Sequence, residues 1–370
     1  MEVKLSYRCV EQHLLRLRVG GYYQIDPHSP TLHKRLHDIY MRITLVWIIV
    51  YTVQQAIKLY EVRDDMDMVM GTLFLFLTHT DSIYKQLVLW IKADKVEELL
   101  DIMKGGIYNL LCQLFNQGED DHMTYLLQAA YTSTCLLNTD NCLALATCFL
   151  WTLLPFVLHL QGKSVEFAIW FPFDVNVDPA FYFLLLYVWF TTSWLAFCNT
   201  TMDVMVSFLF GQCKTQLSIM FVILSRKYLP ATERIWMIED IFSTAIAYQF
   251  LISGWIICTS VYRMVDMSPA SVQFLSMVLY ISCILIQIFM YCYYGNEVTI
   301  ESENLTGSAY SMNWLEINLK LRRHVILFME RIKRPIQPLA GRIIPLSNNT
   351  FVSIVKNSYT FYALLKNTNE

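Results

Sequence analysis

Apolar residues fall along this chain in long runs, not in the short alternating or every-third-or-fourth patterns of a soluble fold. Runs at 40–60, 68–90, 142–160, 180–212, 241–262, 272–294 and 346–366 each approach the ~20 helical residues that cross a bilayer core about 30 Å thick. The third, fourth and sixth hold no Asp, Glu, Lys or Arg before Asp203. The second holds Asp81 and Lys85, four apart on one helical face, where an internal ion pair neutralises both. The last, with SNNTFVSIVKNSYTFYALL at its centre, is the most polar of the set.

Two segments between the runs also read as helix. From residue 180 the periodicity continues through FLFGQCKTQLSIMFVILSRKYL to Leu229, where Pro230 is expected to end it. A helix of that length projects well beyond the bilayer. Positions 314–334, WLEINLKLRRHVILFMERIKR, carry Leu315, Leu319, Ile326, Met329 and Ile332 near one stripe with basic residues around it. Its apolar residues wrap more than one face, which favours packing against other helices over resting on anionic lipid. Pro335 and Pro338 then stop the helix and turn the chain back toward the membrane. With no internal repeat and no long linker, 1–370 reads as one domain. Residues 40–212 and 241–294 hold helices one to six, 314–334 an anchor helix, and 346–366 the last span.

Charge sets the orientation, because cytoplasmic loops are enriched in Lys and Arg. Twenty basic residues fall in the N-terminal arm and the segments 91–141, 213–240 and 295–345; four fall on the other side. The N-terminus is therefore expected inside and the C-terminus outside, opposite to G-protein-coupled receptors. Composition agrees with a lipid-covered surface: 55% of residues are hydrophobic and 16% charged, against about 25% charged in soluble chains. No basic excess points to nucleic acid. The ten cysteines lack CxxC and zinc-type spacing and read as small buried hydrophobes. No Gly-rich phosphate loop, metal-ligand spacing or nucleophile motif suggests an enzyme, a cofactor or a metal. Glu297, Glu301 and Glu303 read as a solvated loop.

The last run holds the sharpest signal. Ser353, Lys356, Asn357, Thr360, Leu364 and Asn367 follow steps of three and four, which puts them on one helical face. The other side offers Val352, Val355, Tyr359, Tyr362 and Leu365 for packing. A polar stripe on a membrane helix serves either interhelical hydrogen bonds or a water-filled lumen. Lys356 favours the lumen, since mid-span it needs water or an anion and the span carries no acid. Leu364 interrupts the stripe near the outer end, and a ring of such side chains is what a dewetting gate requires. Four copies of Lys356 around one pore would repel cations, which favours a mixed assembly.

The segment from Gly295 to Leu365 resembles the C-terminal signature of insect odorant receptors. Its markers are LTGSAYSMNW at 305–314, FMERIKRPIQPLAGRIIPLS at 328–347 and the F…SYTFYALL ending. The resemblance implies an all-α membrane protein of seven transmembrane helices with a cytosolic helical anchor. It also implies a ligand-gated cation channel, tetrameric with the common odorant co-receptor, in which the last helix lines the pore. Leu364 would then stand at the hydrophobic gate, and Lys356 departs from the small residue of the co-receptor. Relatives bind volatile molecules in the outer halves of helices two to six. Here those halves supply Met70, Phe74 and Thr78; Cys148, Trp151, Thr152, Pro155 and His159; Tyr182 and Trp189; and Met277 and Tyr280. Aromatic walls with a few polar groups suit a small apolar ligand, with aromatic or heterocyclic odorants foremost. Ordinary bundle packing is the commoner role of any single one of these aromatics, and His159 reads as an interfacial histidine before a ligand contact. The rival readings are a gustatory-type channel that conducts as a homomer and a metabotropic membrane receptor. The expected partners are the co-receptor, a volatile ligand, the lipid bilayer and permeating cations. The expected location is the plasma membrane of olfactory dendrites.

Overall fold

The computed structural model describes residues 3–24, 29–104, 121–173, 175, 177–220, 228–265, 267–269, 271–310 and 319–369. It is a bundle of long helices: α1 (Val3–Val19), α2 (Thr31–Glu61), α3 (Met66–Ile91), α4 (Ala93–Lys104), α5 (Asp121–Leu160), α6 (Ala180–Met220), α7 (Tyr228–Val265), α8 (Val272–Tyr310), α9 (Leu319–Ile332) and α10 (Asn348–Asn369). A two-stranded hairpin, β1 (Leu339–Ala340) and β2 (Ile344–Pro345), precedes α10. Among the described residues, α2 and stretches of α5, α6, α7 and α8 are long and apolar enough to cross a membrane. Helices α3 and α10 fall short of that measure because they carry Asp81 and Lys85 in one and Lys356 with several Asn, Ser and Thr in the other. The chain is an all-α, multi-pass membrane protein.

The most extensive contacts join α5 to α6, α3 to α7 and α6 to α8, with α10 laid against α7 and α8. The main core cluster runs through these helices, and a small second one joins Leu137 of α5, Val204 of α6 and Met290 of α8. Side chains facing away from it, such as Ile43, Val46 and Val50 of α2 and Phe183 and Leu186 of α6, are exposed in the protomer, as lipid-facing positions are. Asp65 caps α3 by accepting from the backbone N–H groups of Asp67 and Met68, two of the donors that a helix start leaves unpaired.

Several elements depart from the reading of the sequence. Helix α7 begins at Tyr228 with Pro230 in its first turn, where the missing N–H has no intrahelical acceptor to lose. Pro230 therefore starts the fifth span and does not end the fourth; residues 221–227 lie outside the described residues. Glu297, Glu301 and Glu303 are helical, since α8 continues to Tyr310, and Glu297 pairs with Lys214 of α6. The anchor helix is described from Leu319, so Leu315 lies outside the described residues. On it Met329 and Ile332 are buried while Ile326 and Leu327 are exposed. The cysteines at 148, 198, 213, 258, 283 and 292 are free and buried.

The hairpin fastens the last span to the bundle. Its turn uses Gly341 and Arg342, each with φ of 60°. The Gly341 N–H donates to the Ser243 carbonyl of α7 at 2.9 Å, and Arg342 reaches Asp240 at 3.0 Å. Lys95 of α4 meets the other Asp240 oxygen at 2.5 Å, so one carboxylate ties α4, α7 and the hairpin together. Leu346, the residue between hairpin and α10, lies directly over Gly295 of α8. A Cβ at 295 would stand 2.3 Å from the Leu346 Cβ and 2.9 Å from its carbonyl oxygen. Gly295→Ala should therefore destabilise the fold by about 1–3 kcal/mol. A lowered melting point of the detergent-solubilised protein, with less receptor at the cell surface, is the expected result.

Candidate functional site

Two adjoining cavities lie within the bundle formed by α3, α5, α6 and α8. The outer one, about 190 Å³, is lined by Phe74, Trp151, Thr152, Pro155 and Met277 together with Glu166–Ile169 of the α5–α6 connection. The inner one, about 60 Å³, is lined by Thr78, His79, Cys148, Asn199, Tyr280 and Gln287 among others. Leu75, Trp151 and Thr192 border both. Drug-sized ligands occupy pockets of roughly 300–1,000 Å³, so these volumes suit a smaller molecule.

Three rings stand at the shared wall. Trp151 lies 5.0 Å from Tyr280 and 5.6 Å from Phe74, and Phe74 lies 5.2 Å from Tyr280, centroid to centroid and tilted or edge-on. Such geometry sets positive ring edges against negative ring faces. A chain of hydroxyls holds the rings in register. Thr78 donates to the Phe74 carbonyl at 2.8 Å, which leaves the Tyr280 hydroxyl to donate to Thr78 Oγ1 at 2.5 Å. The sequence places Phe74 and Thr78 one turn apart on α3, so one face of α3 presents both the ring and the acceptor for Tyr280.

The structure thus brings together Phe74, Thr78, Trp151, Thr152, Met277 and Tyr280. His159, Tyr182 and Trp189 line neither cavity. His159 contacts Asp178 at 2.9 Å and stacks on Phe181 with centroids 3.6 Å apart, while Tyr182 meets it edge-on. Trp189 faces outward from α6 and is exposed in the protomer. The physical reason is helical phase: on α6 the inward face runs through Phe181, Leu184, Leu195 and Asn199, and Tyr182 and Trp189 lie about a quarter turn away from it. Sequence reasoning also missed residues 165–169. Their signal is composition, since a connection reading VEFAI is too apolar to lie in water, and Val165, Phe167 and Ile169 are in fact buried.

Helix α10 carries the polar stripe on its unpacked side. Ser353, Lys356, Asn357, Thr360 and Leu364 are all exposed in the protomer, with Leu364 at 58%; the side chain of Asn367 lies outside the described residues. The packed face differs from the expected one. Ser358 is fully buried with its hydroxyl over Gly254 of α7, Phe351 meets Phe289 of α8, and Phe361 stacks on Trp255 of α7. Val352 and Tyr359, expected to pack, are exposed at 46% and 68%. A small serine opposite a glycine lets α7 and α10 approach closely, and that approach rotates the two larger residues outward.

Beneath the inner cavity sits an ionic group. Lys85 Nζ lies 2.8 Å from Asp81 Oδ2, 2.6 Å from Asp203 Oδ1 and 2.9 Å from Asn199 Oδ1. The Tyr291 hydroxyl donates to Asp203 Oδ1 at 2.7 Å. The expected Asp81–Lys85 pair forms, and a second carboxylate from α6 joins it.

Comparison with known proteins now assigns the architecture. The family model for the seven-transmembrane odorant receptor matches residues 65–233 and 226–359. Odorant receptor 46a, isoform A, of Drosophila melanogaster is 25% identical over 376 residues, covering 92% of this chain and 94% of that receptor. Odorant receptor 94a of the same fly is 30% identical over 240 residues, covering 57% of this chain and 60% of its own length. The solved olfactory receptor OR5 from Machilis hrabei, in complex with eugenol, superposes with a TM-score of 0.84 over 100% of both chains at 15% identity, a likeness of fold. The chain belongs to the odorant receptor family, a family of membrane receptors and not of enzymes.

The ring triad is the part of the site most exposed to test. Trp151→Ala removes the wall shared by the two cavities, and should raise the half-maximal concentration of an activating odorant about ten-fold or more with surface expression kept. Thr78→Val removes the acceptor of the Tyr280 hydroxyl and should cost about 0.5–1.5 kcal/mol, read as a fall in melting temperature smaller than that of Trp151→Ala.

Proposed function

We propose that this chain is the odorant-binding subunit of a ligand-gated, non-selective cation channel, assembled as a heterotetramer with the odorant co-receptor. The observation that carries the reading is α10. One face of that helix is packed on α7 and α8, and the face left open in the protomer carries the polar stripe Ser353, Lys356, Asn357 and Thr360, flanked by exposed Val352 and Tyr359. Lipid is a poor host for that face, whereas water at the centre of an assembly is a good one. Seven spans are α2, α3, α5, α6, α7, α8 and α10, with the N-terminus cytoplasmic and the C-terminus extracellular by the distribution of Lys and Arg. Ile326 and Leu327 of α9, apolar and exposed, supply an anchor surface for neighbouring subunits outside the membrane.

A small volatile molecule enters the chambers around Trp151 and Tyr280 and opens the pore that α10 lines. The aromatic walls favour aromatic or heterocyclic odorants, and the eugenol complex of the Machilis receptor supports the same ligand class. Leu364 acts as the gate, because a ring of leucines excludes water until it widens. The dendrite of an olfactory neuron is the expected location.

Whole-cell recording from cells that express the chain alone and with the co-receptor tests the reading. Odorant-evoked cation current is expected only from the pair. Current from this chain alone would replace the heteromer with a homomeric, gustatory-type channel, and signalling that requires a G protein would replace the channel. Two substitutions probe the pore. Leu364→Ala should raise the current that flows without odorant. Lys356→Ser should raise unitary cation conductance, most strongly at low salt, because the Debye length grows from about 8 Å at physiological ionic strength to about 30 Å at 0.01 M.

A further inference from the structure

Each helix around the inner cavity contributes a second residue one turn further from the ring triad. On α3 the step runs from Ser82 to Lys85, on α6 from Asn199 to Asp203, on α8 from Gln287 to Tyr291, and on α5 from Ala144 to Asp140. These second residues, with Asp81, form the ionic layer that floors the cavity. Lys85 is 1% exposed and Asp203 0%, so the layer is shut off from bulk water.

Its charges do not balance. Asp81 and Asp203 share the one ammonium of Lys85. Asp140 is 4% exposed and interacts electrostatically with both Asp203 and Lys85, yet neither of its oxygens finds a hydrogen-bond partner among the described residues. Oδ1 of Asp81 and Oδ2 of Asp203 are likewise buried and unpaired. Among the described residues the other titratable groups facing the layer are Tyr22, Tyr280, Cys283 and Tyr291, and none of them is a cation. Three ionised carboxylates against one ammonium would hold two uncompensated negative charges inside a membrane protein. A buried carboxylate in that position takes up a proton instead, which lowers the excess from two charges to one, shared by the two carboxylates at Lys85. A chelated metal ion fits less well, because no three metal-binding side chains converge among the described residues.

The geometry points to a proton-binding site in this layer, with the proton held on the carboxyl of Asp140. Asp81 and Asp203 both touch Lys85, whereas among the described residues Asp140 touches no cation. Uptake is a simple exchange in which the Asp140 carboxylate and one proton from water give a neutral acid, and no other bond changes. The acid O–H supplies a donor where the layer otherwise has surplus acceptors, and Asp203 Oδ2 on the neighbouring helix is an acceptor without a donor.

Infrared spectroscopy of the purified full-length chain in lipid nanodiscs, with no odorant present, tests this independently of any channel activity. The carbonyl stretch of a protonated carboxylic acid should be visible at neutral pH, disappear in Asp140→Asn and persist in Asp81→Asn. Surface expression gives a second readout. Asp140→Asn exchanges one neutral group for another of the same shape, and its level should stay within about two-fold of the parent. Asp203→Asn strips Lys85 of its shortest contact and should lower the level about ten-fold or more. The proposal is overturned if the band is absent, if it survives Asp140→Asn, or if Asp140→Asn fails to reach the surface as Asp203→Asn does. Carboxylate bands that shift when sodium is exchanged for a bulky organic cation would also overturn it, by giving the compensating charge to a metal ion.

Discussion

The ammonium of Lys85 lies in the middle of the bundle, and the helices around it are arranged so that it is never without a carboxylate. Removing one partner from a buried ion pair leaves an uncompensated charge, at about 3–5 kcal/mol, so α3 and α6 are bound to a single relative rotation and register. Tyr291 extends that constraint to α8 through Asp203. Once three helices are fixed by one group of polar atoms, the side chains one turn away are fixed as well. Those side chains are the walls of the inner cavity. The inner cavity is thus shaped by a polar contact that lies outside its own walls.

The same logic explains why polar residues recur along the spans without forming one functional cluster. Asn141 on α5 receives the Thr200 hydroxyl of α6 at 2.7 Å, and His79 on α3 meets Gln55 of α2 at 2.7 Å. Gln249 of α7 reaches Gln287 of α8 at 3.3 Å. Each contact joins two helices at depth, where apolar packing alone discriminates poorly between rotations because lipid is as apolar as the helix surfaces. The polar face of α10 contrasts with these. Ser353 and Thr360 bond back to backbone carbonyls of their own helix, at 2.8 and 3.0 Å, and present the rest of the face to whatever lies beyond the protomer.

A short run of direct contacts joins the cavities to the base of α10. Tyr280 and Met277 on α8 line the chambers, and Phe289 further along α8 meets Phe351 at the start of α10. Helix α8 also carries Gly295, against which Leu346 is seated. Helix α8 is thus in direct packing contact with the base of the last span. The hairpin is fixed in turn, because Asp240 holds it to α7 and to α4 at once.

By itself the sequence determined the placement of the membrane-crossing runs, the membrane character of the chain, the Asp81–Lys85 pair and the face that carries Ser353, Lys356, Asn357, Thr360 and Leu364. All of these are local properties: span length, hydropathy and residues three or four apart on one helix need no knowledge of neighbours. Tertiary structure alone decided which way each helix faces. It turned Trp189 and Tyr182 outward from α6, buried Ser358 in place of Tyr359 on α10, folded residues 165–169 over the outer chamber, and brought Asp203 and Asp140 to Lys85 from other helices. A period of 3.6 residues defines a stripe but not the direction in which it points. That direction is set by the helix on the other side of the contact, and by the buried charges that must meet there.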